Sequence, residues 1–67
     1  MNYIEEEFNI LRVDFKSSPK TIRNCLVAKS MCERLADKSS GKLYIKITDF
    51  IEDINMIIKT AYKIKSI

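Results

Sequence analysis

The sequence predicts an α+β domain, a small strand–helix–strand–helix unit whose two amphipathic helices pack on one face of a short sheet completed by dimerisation. Three observations point there. Leu11, Val13 and Phe15 alternate with Arg12, Asp14 and Lys16, the pattern of a half-buried strand. Ser18-Pro19 opens a helix on which Ile22, Cys25, Leu26, Cys32, Leu35 and Ala36 share one face. Leu43, Ile47, Phe50, Ile54, Ile57, Ala61 and Ile64 recur at spacings of 4, 3, 4, 3, 4 and 3, the period of a second amphipathic helix.

Each element has a local reason. Residues 1–7 form an acidic N-terminal segment around Glu5, Glu6 and Glu7. A strand at 8–16 follows, rich in Phe and Val and closed by the break Ser17-Ser18-Pro19. Ile4, Phe8, Leu11 and Phe15 also fit a helical stripe, so this segment reads two ways. The helix at 19–36 takes Ser18 as its cap and Pro19 as its first residue, where a missing N–H does no harm. Asp37 to Lys42 end it, with Gly41 free to adopt positive φ. A strand at 42–47 puts Leu43, Ile45 and Ile47 on one face; a helix reaching back to Leu43 would turn Ile45 towards its polar side. The last helix, 49–65, has Thr48 or Asp49 as cap, and Asp49 with Glu52 has capping-box spacing. Tyr44, Ile51 and Ile58 widen its apolar face.

These elements make one domain over residues 1–67. A core of this size seldom supplies more than about 3–5 kcal/mol, which makes a stabilising partner an expected feature. Two short strands are a marginal sheet, because about three or more are usually needed, and their open edges invite a second chain. Apolar residues are 46% of the chain, too many for intrinsic disorder.

The net charge of +3 is unevenly placed: residues 1–15 carry a net of −3 and the remainder a net of +6. This permits contact with RNA or an acidic protein surface without demanding either. The acidic start is no signal peptide, and no uninterrupted apolar run approaches ~18–20 residues, so a cytoplasmic protein without membrane contact is expected. Cys25 and Cys32 lie seven apart in a helix, roughly 10 Å between Cα atoms. A disulfide needs roughly 4.4–6.8 Å, so the two are expected as buried, reduced thiols. With no His and no CxxC, no metal site is expected.

No catalytic constellation or phosphate-binding loop is present, and neither enzyme activity nor a cofactor is expected. Asp49, Glu52 and Asp53 cluster at the expected start of the last helix, where carboxylates complement the dipole. Two non-enzymatic alternatives stand beside any accessory role. Arg12, Asp14 and Lys16 on the outer face of a strand could read base edges, as in a ribbon-helix-helix DNA-binding dimer. Alternatively, the helices could act as a small inhibitor against one host protein.

The last helix, with Phe50-Ile51, Ile54 and the run Ile57-Ile58-Lys59-Thr60, resembles the C-terminal helix of the small dimerising subunit of the KEOPS complex, the Pcc or CTAG-like family. Gly41-Lys42-Leu43-Tyr44-Ile45-Lys46-Ile47 is similar to that family's last strand, and the front, a strand ending in Phe15 before an amphipathic helix, looks similar too. Family members carry a further strand and a longer final helix, so the resemblance is to a shortened paralogue. It implies a non-catalytic accessory subunit of the complex that makes threonylcarbamoyladenosine in tRNA. Such a subunit would pair with a Pcc-type paralogue or a second copy of itself and contact the threonylcarbamoyl transferase subunit. Leu11, Val13, Phe15, Leu43, Ile45 and Ile47 would then form the sheet interface, with Ile51, Ile54 and Ile58 turned to partners. Lys59, Lys63 and Lys65 would help hold tRNA. Arg12→Ala distinguishes the DNA-binding alternative: it should abolish operator binding and leave assembly of a tRNA-modification complex intact, and an unchanged DNA footprint removes the repressor reading.

Overall fold

In the computed structural model, which describes residues 3–65 (side chains only as far as 63), the chain is all-helical. Helix α1 spans Tyr3–Ser17, α2 Ile22–Asp37 and α3 Gly41–Lys65. No strand and no sheet occur among the described residues, which corrects the expected α+β fold.

Both expected strands are helix, and each for a visible reason. In α1 the stripe Ile4, Phe8, Leu11 and Phe15 is the one that packs inward, Phe8 and Phe15 being buried and Ile4 and Leu11 half-buried. The alternation of Leu11, Val13 and Phe15 is an accident of that stripe: Val13 points away and is 68% exposed. Glu5 and Glu6 lie in the first turn and Lys16 in the last, the arrangement that suits the helix dipole. From Tyr3 on, the expected acidic N-terminal segment is therefore the first part of α1. In α3 the heptad stripe does reach back to Leu43, and Ile45 consequently stands on the solvent side, 57% exposed. Thr48 is no cap; its hydroxyl donates to the carbonyls of Tyr44 and Ile45, both at 3.0 Å, within a continuous helix. Asp49, Glu52 and Asp53 thus lie two turns or more inside α3, away from its N-terminus.

The turns follow from single residues. Pro19 disfavours helical geometry at the residue before it, and α1 ends at Ser17. Ser18 closes α1 instead of opening α2: its hydroxyl donates to the Asp14 carbonyl at 2.8 Å. Lys20 folds back so that its ammonium donates to the Phe15 and Ser18 carbonyls and sits 4.6 Å from the centroid of the Phe15 ring. The N-cap of α2 is Thr21, in extended geometry, with Oγ1 accepting from the Asn24 N–H at 3.1 Å. At the other end Lys38 and Ser39 donate backbone N–H groups to Leu35 and Ala36, both at 3.1 Å. Gly41 then takes φ +63° and starts α3, the positive φ expected of it.

The short turns set α2 antiparallel to both neighbours, and α2 with α3 forms the closest pair. Their shared core holds Cys25, Ala28, Cys32, Leu35 and Ala36 from α2 and Leu43, Ile47 and Ile54 from α3. Helix α1 joins through aromatic rings. Phe50 meets Phe8 edge-on at 5.6 Å between centroids and Phe15 edge-on at 5.7 Å. The Cα extents of 46 × 21 × 14 Å leave no helix enclosed, so each keeps an outer face.

Ile54 is fully buried, and Ile54→Asp should remove the cooperative thermal transition, because a carboxylate there has no partner. A folded, soluble Ile54→Asp protein would contradict this packing. Gly41→Ala meets no atom within 4 Å but keeps the positive φ, so it should lower stability in denaturant titrations by about 1–2 kcal/mol through backbone strain alone.

Candidate functional site

The expected interface residues divide sharply. Phe15, Leu43, Ile47 and Ile54 are core, and Leu11, Ile51 and Ile58 are half-buried against it. Only Val13 and Ile45 are exposed, and they lie on different helices. The physical reason is the change of element: a large aliphatic at helical spacing is covered by the neighbouring helix, where a sheet edge would have offered it to another chain. Lys59 and Lys63 are exposed on α3, and the side chain of Lys65 lies outside the described residues.

Other apolar side chains make up the surface. The outer face of α1 carries Tyr3 and Ile10, each 71% exposed, beside Val13. The Tyr3 hydroxyl donates to Glu7 one turn on, and that bond with the Glu7 charge raises its pKa. Val27 and Met31 are about half exposed on α2. With Leu11, Phe15 and Ala28 they line a groove between α1 and α2, which Asp14, Ser18 and Asn24 fringe with polar groups. On α3, Met56, Ile57, Thr60 and Ala61 make a further apolar patch. Sequence reasoning missed Ile10, Val27, Met31 and Met56 because each stands off the dominant stripe of its helix. The one signal was negative: these apolar residues had no place on the inward face.

A third recess, between α1 and α3, is lined by Phe8, Arg12, Lys46, Asp49, Phe50 and Asp53. Arg12 is half-buried there, its guanidinium 5.6 Å from the centroid of the Phe8 ring. This is not the exposed strand face from which a ribbon would read bases.

Cys25 and Cys32 are free and fully buried on the inward face of α2, with buried Ala28 between them. Burial, with the Glu33 charge in support, pushes the Cys32 thiol up to about 11. No group of His, Cys, Asp and Glu side chains able to hold a metal ion occurs among the described residues. No described helix is long and apolar enough to cross a membrane.

The raised Cys32 pKa has a sign. The neutral thiol is favoured in the folded state, so its contribution is fully present below the ordinary value of 9.0 and is lost as pH rises towards about 11. The melting temperature of the wild type should therefore fall more steeply between those pH values than that of Cys32→Ala. Parallel curves would show that the thiol is not desolvated.

No family model, curated protein or solved structure matches this chain.

Proposed function

We propose that this chain is a non-catalytic protein-interaction module that takes an amphipathic helix of a partner protein into the α1–α2 groove. The groove itself supports the reading: Val27 and Met31 stand about half exposed along it, and Leu11, Phe15 and Ala28 line it. Helix-in-groove recognition uses such a trough, apolar along its length and polar at its rim. Met31 adds an unbranched side chain that adapts to the occupant.

Two biological roles are compatible with such a module. As a small inhibitor it would occupy one host protein through this groove. As an accessory subunit of the threonylcarbamoyladenosine machinery it would instead dock on the transferase subunit by its helices. That second role rests on the resemblance of α3 alone, since the segments implied as a dimer sheet are helical. The DNA-binding alternative loses its ribbon for the same reason, with Arg12 drawn onto Phe8.

Affinity capture of the tagged chain from its native host, with mass spectrometry of the eluate, identifies the partner. Val27→Glu/Met31→Glu should keep its helical circular dichroism and lose on the order of tenfold or more of the captured protein, because charges replace apolar contacts in a desolvated groove. Capture of the transferase assigns the accessory role, and capture of another protein assigns the inhibitor role. Capture undiminished by the double substitution rules the groove out.

A further inference from the structure

We infer that the helix taken into the α1–α2 groove is basic along one edge and acidic along the other, its Lys or Arg residues lying against α1 and its Asp or Glu residues against α2. The inference rests on the groove being the docking site and adds what selects the occupant. Successive helical residues advance by about 100°, so Glu7, Leu11 and Asp14 lie within about 60° of one another round α1. Leu11 and Asp14 line the groove, and Glu7 stands two turns before Asp14 on the same column, both acids exposed. On α2 the residues Arg23, Val27 and Arg34 lie within about 40° of one another. Val27 lines the groove, and the exposed Arg23 and Arg34 stand one turn before it and two turns after it.

Charges of the other sign point elsewhere on both helices. Arg12 lines the α1–α3 recess, and Lys16 follows it one turn later on the same side. Glu33 and Asp37 lie on the far side of Arg34 from Met31. One wall of the groove is therefore acidic and the other basic. Helices α1 and α2 run antiparallel, which sets Glu7 at the Arg34 end and Asp14 at the Arg23 end. Among the described residues no ion pair joins the two walls, so both signs remain for an occupant between them. A helix lying apolar face down exchanges its two edges when it is reversed end for end. Walls of opposite sign accept it in one direction only. A helix basic along both edges meets Arg23 and Arg34, and one acidic along both meets Glu7 and Asp14, so each is disfavoured. Exposed ion pairs are individually weak, and the four charges select the partner more than they hold it.

Selection from a displayed library of amphipathic helical peptides tests the inference. The full chain is the bait, and the library offers Lys or Glu along both edges of a constant apolar stripe. Peptides with one basic and one acidic edge should be enriched on the order of tenfold over peptides with two edges of like sign, and added salt should erode the preference. Glu7→Lys/Asp14→Lys makes both walls basic and should shift the selection to peptides acidic along both edges. Arg23→Glu/Arg34→Glu should shift it to peptides basic along both. All four positions are exposed, so both variants should keep their helical circular dichroism. Groove-bound peptides without an edge preference, or with one that neither charge reversal moves, overturn the inference. A selection that yields no peptide lost on Val27→Glu/Met31→Glu fails the groove itself, a result distinct from a groove binder of indifferent charge. A chain that dimerises in sedimentation velocity through Val27 and Met31 makes the occupant a second copy and overturns the inference equally.

Discussion

The position of α1 depends on Phe50. Helices α2 and α3 hold each other through a continuous layer of small and aliphatic side chains, two thiols among them. Helix α1 has no such layer with α3; its Phe8 and Phe15, two turns apart, close edge-on upon the single ring of Phe50. Edge-to-face pairs add about 0.5–1.5 kcal/mol each beyond the area they bury. In a domain this small that is a substantial share of the total. The same ring abuts Phe15, one of the α1 residues that line the groove Val27 and Met31 border.

Much of this was legible in the residues. The break at Ser17-Ser18-Pro19, the body of α2, the positive φ of Gly41 and the inward stripe of α3 all follow from local chemistry. What misled was shortness. Over five or six residues, alternation at Leu11, Val13 and Phe15 and a helical stripe at Phe8, Leu11 and Phe15 share most of their members, and period alone does not separate them. Leu43, Ile45 and Ile47 pose the same problem. The residue that decided each case was the one left over: Val13 and Ile45 both stand in solvent, a modest penalty against an uninterrupted helix. Once the strands became helices, the expected interface turned inward. Ile47 and Ile54 form the centre of the core, and the outward surface fell to residues such as Ile10, Met31 and Met56, isolated from any pattern.

The outcome is a molecule with a small interior and apolar side chains on three of its outer sides. Its size explains the combination. Three short helices enclose only one layer of side chains between them, so any further apolar residue is left at the surface. Grouped rather than scattered, as in the groove and on distal α3, such residues mark places where another helix can lie.

The capping of α1 by Lys20 has a consequence for motion. The last carbonyls of that helix and the Phe15 ring are held by one ammonium group from the connecting turn, while Phe8 and Phe15 carry the helix onto Phe50 of α3. The hairpin of α2 and α3 packs together far more extensively than either helix packs on α1, which makes α1 the outer, separable shell. An occupant of the groove touches both units at once and would slow the opening of α1 far more than that of the hairpin. Binding would then register at a distance, as slower exchange of the amides around Phe8 while those around Ile47 stay unchanged.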